Sequence, residues 1–549
     1  MSGNETPDTP QERELSPPRR TRRDLLAKAG AVGAGAVAAG SLAGAAKAAP
    51  TRSAATPRVR RGGRIIWALE QDPVHVAPFG AILTSNHWGK QFAYDSLVEW
   101  DRNLNLKPAL AEKWRVVSPR EILFTLKQGI KFHNGQELTA ADVKYSVELM
   151  LNPPPPGSAV TVGQIPAIDG IDVVSKYVAR MRLKAPDARV FGVFAWGRYT
   201  PIVPEGLYQQ INVSRAAIGT GPYRMVGFNP NDRVEYVANP NFWKKGQPYM
   251  DAITLKTLPD EQARVAALRA GAIDGATVSP DSARALAGES SLTVLKGLTA
   301  AFRELQMTVK GDPKPWHEVR VRQAVNHAIN RQEILDKVYN GNGEYSGHVP
   351  PGYGPWPLSR SELRQKYLKY DLPKARKLMA DAGQTRGFSV KMTTFSTPLD
   401  MQQVAAVIKS NLQQINIDVN IVAEEPGTFA TNNGRGNFEW DLTMRGMRGD
   451  VDGYLAEFNP SAGAVLFNAW YPKYRNVKVW RDIGNGRITL DQDKRLPLYK
   501  DAQQRLLTDL VQVPLVAVTK WQVVRKRVQN MYVAFNDFNS GLRETWLSE

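Results

Sequence analysis

Residues 121–151 read EILFTLKQGIKFHNGQELTAADVKYSVELML, and this stretch contains a strand pattern followed by a helix pattern. Apolar and polar residues alternate from Glu121 onward, which is typical of a half-buried strand, and a Gln-Gly pair predicts the turn that ends it. Thr139 followed by Asp142 is a capping-box pattern, which predicts a helix that runs to Leu151 before a series of prolines. The stretch therefore predicts a chain that mixes strands and helices.

The same two patterns recur along the rest of the sequence. Compact apolar runs rich in β-branched residues predict strands, and apolar runs that begin at a capping residue or proline and end at glycine predict helices. The predicted strands are residues 65–69 and 417–422, and the predicted helices are residues 260–268, 372–379 and 404–415. We therefore predict an α/β fold.

The first 48 residues have the pattern of an export signal. Arg22 and Arg23 precede a stretch dominated by alanine and glycine, which ends in the small-residue cleavage pattern Ala-Lys-Ala at Ala48. The paired arginines resemble the twin-arginine signal, so we expect the Tat translocon to export the folded chain to the periplasm, with cleavage near Ala48. A retained membrane anchor is the alternative, but such a helix normally carries larger apolar residues.

Composition excludes several classes of protein. The 549 residues include no cysteine, which excludes a lipid anchor on cysteine, disulfides and cysteine-based metal sites. Residues 1–48 hold seven of the 71 Lys and Arg and five of the 53 Asp and Glu, so the remainder carries a net charge of +16. These cations are scattered and form no basic arm, so we expect no nucleic-acid partner. Residues 49–61 have the composition of a linker, and the length beyond them predicts two to four domains.

Eight short motifs follow one another in a fixed order. They are YDSLVEW (94–100), LKPALAEKW (106–114), KFHNG (131–135), LTAADV (138–143), GTGPY (219–223), NPNFW (239–243), ALRAGAID (267–274) and VRVRQAVNHAINR (319–331). In composition and order they resemble the signature stretches of the peptide/nickel class, family 5, of periplasmic solute-binding proteins. Members of this family deliver solutes to ABC importers.

The resemblance implies a two-lobed periplasmic-binding-protein fold of the cluster C type, with an extra domain inserted in the first lobe. By that pattern, lobe I comprises residues 62–96, 215–300 and 515–549, the extra domain residues 97–214, and lobe II residues 301–514. Extended runs at 302–307 and 513–518 fit two strands that cross between the lobes and act as a hinge. We expect a monomeric receptor that captures a small solute between the lobes and passes it to a membrane permease.

The resemblance also places the binding chemistry in DLTMRGMRGDVDG, residues 441–453. In peptide-binding members, an acid after a small residue pairs with the ligand's α-ammonium, and here that acid is Asp450. A carboxylate offsets the cost of burying an ammonium, and the ligand backbone can pair with extended protein chain. The other candidates are Asp452, Met447, where those members carry an aromatic residue, and Glu70 and Gln71 after the first strand. The alternative is that Asp450 and Asp452 are only turn residues.

Arg445 and Arg448 leave the class of solute open. Either arginine can receive a carboxylate in a bidentate pair, which suits a peptide C terminus or an acidic opine-like compound, and either can equally be a solvated strand residue. A di- or oligopeptide or a related amino-bearing compound is the first expectation. A sugar, an opine and a metal chelate are the alternatives, as is a periplasmic chaperone or sensor without a role in transport.

The sequence lacks the patterns of enzymes and cofactor-binding proteins. It contains no Gly-x-Ser-x-Gly nucleophile elbow, and the glycines around Thr220 do not have the spacing of a phosphate loop. Glu424 and Glu425 are adjacent, so on extended chain they point to opposite faces and cannot act as paired catalytic carboxylates. The six histidines are dispersed, so His133 fits a turn better than a metal site. We expect no catalysis, no cofactor and no resident metal.

Overall fold

A computed structural model describes residues 59–80, 84–156, 168–535 and 541–548 of the chain. The predicted export signal lies outside the described residues, as does nearly all of the predicted linker. Every feature below belongs to the compact unit that begins at Val59. In this described part, no helix combines the length and apolar composition needed to cross a membrane.

The strands build one large mixed sheet and three smaller antiparallel ones. They are β1 (Arg64–Leu69), β2 (Val98–Trp100), β3 (Leu106–Pro108), β4 (Ala111–Ser118), β5 (Glu121–Leu126), β6 (Ile168–Ser175), β7 (Val178–Leu183), β8 (Tyr223–Asn229), β9 (Arg233–Ala238), β10 (Ala252–Thr257), β11 (Gly275–Val278), β12 (Leu292–Met307), β13 (Gly343–Tyr345), β14 (Phe388–Phe395), β15 (Ile417–Glu424), β16 (Trp440–Arg445), β17 (Gln512–Arg525), β18 (Val528–Gln529) and β19 (Trp546–Leu547).

The α-helices are distributed between these strands. They are α1 (Thr84–Lys90), α2 (Ala140–Leu151), α3 (Arg189–Phe194), α4 (Leu207–Gln210), α5 (Glu261–Ala270), α6 (Pro280–Leu286), α7 (Val319–Ala328), α8 (Arg331–Tyr339), α9 (Arg360–Glu362), α10 (Leu372–Asp381), α11 (Leu399–Gln413), α12 (Pro426–Arg435), α13 (Asp452–Leu455), α14 (Ala464–Trp470), α15 (Val477–Ile488) and α16 (Gln492–Asp509). A π-helical turn, Leu363–Tyr367, continues α9, and short 3-10 turns occur at Pro315–His317, Ala456–Phe458 and Gly541–Glu544.

The large sheet has the strand order β15-β14-β16-β12-β17-β11-β1-β10-β9-β8, and β13 also pairs with β17. On one side β1 is parallel to β10 and β11, and on the other side β14 is parallel to β15 and β16. The two long strands β12 and β17 pair with each other and join the two sides. They contain both predicted extended runs, residues 302–307 and 513–518, which confirms those runs as strands.

Separate apolar cores lie on the two sides of the sheet. The first core includes Ile65, Phe124 and Val193, so it joins β1 to the four-stranded sheet β4-β5-β7-β6. The second core surrounds Leu305, and the third core surrounds Phe302. Because successive side chains of a strand point to opposite faces, β12 contributes to the second core from one face and to the third core from the other.

The predicted helix starts and stops follow local chemistry. Both the backbone N–H and the hydroxyl of Thr139 donate to Asp142 Oδ2, at 2.8 and 3.0 Å, which confirms the capping box at α2. Asp260 accepts from the backbone N–H of Ala263 at the start of α5, and Gly271 ends that helix with φ +72°. Glycine adopts this left-handed conformation without a steric penalty, so the stop signal was readable from the sequence.

Candidate functional site

The candidate residues lie just beyond the carboxyl ends of strands in the large sheet. Glu70 and Gln71 are exposed and directly follow β1, while β16 ends at Arg445 and leads into residues 446–451, here called the site loop. β1 and β16 each run parallel to a neighbouring strand. Ligands of α/β proteins commonly bind outside the carboxyl ends of parallel strands, so the position of these residues suits a binding site.

Asp450 is held by an arginine that lies 45 residues further along the chain. Arg495 donates from Nη1 to Asp450 Oδ2 at 2.9 Å and from Nη2 to Asp450 Oδ1 at 2.5 Å, and Oδ1 also accepts from the backbone N–H of Asp452 at 2.8 Å. Arg495 is fixed in turn by the carbonyl of Gly486 at 2.9 Å and by the ring of Tyr499 at 4.9 Å. The bidentate pair fixes the orientation of Asp450 and compensates its charge.

Asp452, the first residue of α13, lies in the interior below the site loop. Its carboxylate accepts from Arg487 Nη2 at 2.5 Å and from the Tyr499 hydroxyl at 2.8 Å. Burial alone would raise the pKa of Asp452, but Arg487, Arg189 and Tyr499 outweigh it and hold that pKa below its usual value. The side chain is fully buried, so its contacts are with the protein.

Arg445 extends into the third core. Its Nε lies 2.5 Å from Glu304 Oε1, and its Nη2 donates to Glu457, which also accepts from Gln512 Nε2 at 2.6 Å. Two buried carboxylates therefore share one guanidinium. Burial raises the pKa of Glu457, the neighbouring charge of Glu304 adds to the rise, and Arg445 opposes it.

Arg448 and Met447 are half-buried residues of the site loop. The Arg448 guanidinium donates to the carbonyls of Gly453 and Met447, both at 3.2 Å, and the Tyr353 hydroxyl donates to the Arg448 carbonyl at 2.7 Å. Within the described ranges, no carboxylate lies within 4.0 Å of the Arg448 guanidinium. A methyl group added at Gly446 would meet no atom within 4 Å, so open space borders the start of the loop.

The sequence gave no signal for several residues that hold the site. Arg487 and Arg495 bind carboxylates that lie 35 and 45 residues away, and Tyr499 binds one that lies 47 residues away. Tyr353 reaches the loop from 95 residues away. Pairs at such separations leave no local pattern, and an alignment of co-varying positions is the kind of signal that reveals them.

Two other candidate features lie apart from the site loop. A cavity of about 340 Å³ is bordered by residues that include Trp100, Arg102, Lys244 and Tyr532, and its cations are paired, with Lys244 2.7 Å from Glu99 and Arg102 2.7 Å from Glu544. His133 Nε2 lies 3.0 Å from the carbonyl of Gly221. Among the residues that the structure describes, no group of three or more His, Asp or Glu is placed to hold a metal ion.

Comparison with known proteins gives consistent matches. The family model described as bacterial extracellular solute-binding proteins, family 5 Middle, matches residues 105–464. The glutathione-binding protein GsiB of Pectobacterium atrosepticum is 28% identical over 454 residues, which cover 80% of this chain and 86% of that protein.

Solved structures match over nearly the same length. The PBP AgaA from A. tumefaciens R10, in complex with agropinic acid, is 25% identical with a TM-score of 0.71, and the match covers 89% of this chain and 99% of that chain. The periplasmic binding protein DppA from Helicobacter pylori, in complex with the peptide STSA, is 23% identical with a TM-score of 0.70 at the same coverage of 89% and 99%.

Proposed function

The chain belongs to the bacterial extracellular solute-binding proteins of family 5 and has their two-lobed α/β fold, and on this basis we propose a function in solute uptake. The protein captures a small solute between its lobes and delivers it to the membrane permease of an ABC importer. The solute is a di- or oligopeptide or a related compound that carries an amino group and a carboxylate. The match of the family model over residues 105–464 carries this proposal.

The chemistry of the site loop supports a solute with both charges. Asp450 faces Arg495 with both oxygens, but a carboxylate has about four lone-pair positions, so an ammonium group can still bind beside that pair. Arg448 donates only to carbonyls in the described structure and offers a cation to a solute carboxylate. Glutathione and the peptide STSA, the ligands named for two similar proteins, carry both groups, which supports this assignment.

The lobes are proposed to follow the boundaries given by the resemblance, with residues 97–214 as the extra domain. The separate apolar cores on the two sides of the large sheet support this division, because each side buries its own apolar surface. The pairing between β12 and β17 shifts between Leu298 and Phe302, close to the proposed boundary at 300. Such an irregularity suits a hinge, where a few residues absorb the change in backbone dihedral angles.

Calorimetry with matched ligands tests the proposal. The parent protein should bind a glutathione or dipeptide free acid at least tenfold more tightly than the corresponding C-terminal amide, because the amide cannot form the charged pair with Arg448. In Arg448→Gln this preference should disappear. Arg435→Gln, which removes an exposed cation on α12, is the matched control and should keep the preference. Equal affinity of the parent for acid and amide would exclude Arg448 as the carboxylate-binding residue.

Export by the Tat translocon to the periplasm, with removal of the signal near Ala48, completes the proposal. The paired arginines of the signal support it, because the receptor reads the arginine pattern rather than charge alone. Replacing Arg22 and Arg23 by lysine should leave full-length precursor in the cytoplasm. The same replacement at Arg19 and Arg20, the preceding arginine pair, should leave export unchanged. Mature protein in the periplasm at parental levels from the first variant would contradict this route.

A further inference from the structure

Two glycines bring the site loop into direct contact with helix α3. Gly192 lies in α3, whose Val190 and Val193 belong to the first core, whereas Gly449 lies in the site loop beside Val451 of the third core. A Cβ at Gly192 would lie 2.5 Å from the carbonyl oxygen of Gly449. Real Cβ atoms do not approach an oxygen so closely, so any other residue at position 192 would push the two backbones apart.

Met447 adds an apolar contact beside the glycines. It packs against the buried pair Trp196 and Tyr199, whose rings meet edge to face with centroids 4.8 Å apart. A Cβ at Gly449 would lie 2.9 Å from Cε3 of Trp196. Residues 187–199, here called the docking segment, therefore cover the site loop from the side of the first core.

Polar groups link the same two regions. The backbone N–H of Ala188 donates to the carbonyl of Arg487 at 2.7 Å. Arg189 pairs with Asp187, from Nη2 to Oδ2 at 2.5 Å, and its Nε lies 4.0 Å from Asp452 Oδ2. Burial opposes the charge of Arg189, but these carboxylates outweigh it and raise the pKa of the guanidinium. Arg189 thus joins the carboxylates of the docking segment to those below the site loop.

From these contacts we infer that the docking segment sets how far the closed form of the receptor is populated. Closure places the site loop against residues 187–199 through contacts between protein atoms, and Gly192 and Arg189 are positioning residues for the loop. The effect on solute affinity rests on the proposed function, since a ligand that needs the closed form binds more weakly in proportion to the fraction of molecules that are closed. The effect on closure itself does not depend on any solute.

Small-angle scattering of the protein without added solute tests the inference. Gly192→Ala should increase the radius of gyration, because the added methyl group meets a backbone carbonyl and disfavours closure. Gly434→Ala is the matched control, since Gly434 also lies in a helix and a Cβ there meets no atom within 4 Å. Arg189→Gln should expand the protein as well, by a smaller amount. Circular dichroism and thermal melts check that all variants fold.

An identical radius of gyration for folded Gly192→Ala, Arg189→Gln and parent protein would overturn the inference. If Gly192→Ala does not fold, the result for Arg189→Gln decides. Once a solute is known, the dissociation rate should rise about tenfold in Gly192→Ala, while the association rate changes much less. Expansion of the variants in a protein that binds none of the tested solutes would support the docking segment and count against the proposed function alone.

Discussion

At the scale of single residues, the site loop depends on carboxylates whose arginine partners come from α15 and α16. Asp450 was indicated by the resemblance to a family, whereas Arg495 had no local signal, because the two residues are 45 positions apart. Their pair is nearly buried, with 6% of the Arg495 side chain and 10% of the Asp450 side chain exposed. Removing one partner from such a pair leaves a buried charge without compensation, which costs more than the pair itself contributes.

This asymmetry makes a prediction for unfolding in urea. Asp450→Ala and Arg495→Met should each lower the free energy of unfolding by about 3–5 kcal/mol, because each leaves the other charge unpaired. The double variant should lose less than the sum of the two, with a coupling of about 1–3 kcal/mol. Strictly additive losses would show that the two side chains do not form the pair described here.

Asp441 in β16 makes a second prediction at this scale, on pH. Burial raises the pKa of its carboxyl to about 8, the nearby Glu424 adds to the rise, and the amide of Asn433 opposes it. The raised pKa means that the folded protein holds this proton while the unfolded chain has lost it. The contribution to stability is therefore complete below about pH 4 and is lost as the pH rises to about 8.

Urea unfolding at several pH values checks this behaviour. Between pH 5 and 8, Asp441 should lower the free energy of unfolding by up to about 1.4 kcal/mol per pH unit. Asp441→Asn should flatten that slope, while Asp418→Asn, at an exposed position of the neighbouring strand β15, should retain it. The same slope in all three proteins would show that Asp441 titrates normally.

At the scale of elements, the capping box of α2 makes a graded prediction. Thr139→Ala should lower the free energy of unfolding by about 1 kcal/mol, as expected for the loss of a helix cap. Asp142→Ala should cost more, because Asp142 also accepts from the backbone N–H of Glu205 at 2.8 Å. Glu148→Ala, which removes an exposed pair with Lys144 on the same helix, should cost less than about 0.5 kcal/mol. Equal losses in the three variants, measured in urea, would contradict this order.

Elements whose ends carry local chemistry could be predicted from the sequence, and those set by distant partners could not. The helix from Asp260 to Gly271 has both its cap and its stop signal within the sequence pattern. Helix α11 begins at Leu399, five residues before the predicted start at 404, because its first turn follows Pro398. Asp400 in that turn pairs with Arg303 at 2.6 Å, and a partner 97 residues away leaves no periodic signal.

At the scale of the whole molecule, the two long strands β12 and β17 join sides that have separate cores. The sequence predicted these strands as extended runs, but the residues around the site loop come from distant parts of the chain and meet only in the folded protein. Alternation of side chains along a strand can be read from one segment, whereas the packing of Gly192 against Gly449 depends on both cores. Recognition of the family from short ordered motifs therefore went further than any local pattern.

The central claim is that this protein holds a small solute bearing an amino group and a carboxylate. Native mass spectrometry of the protein isolated from the periplasm of its own host tests this claim most directly. We predict a complex heavier than the bare mature chain, a small molecule that is released on denaturation and carries both groups, and a reduced occupancy in Arg448→Gln. A mature protein that shows only the mass of the bare chain, or a released ligand without a carboxylate, would contradict the account.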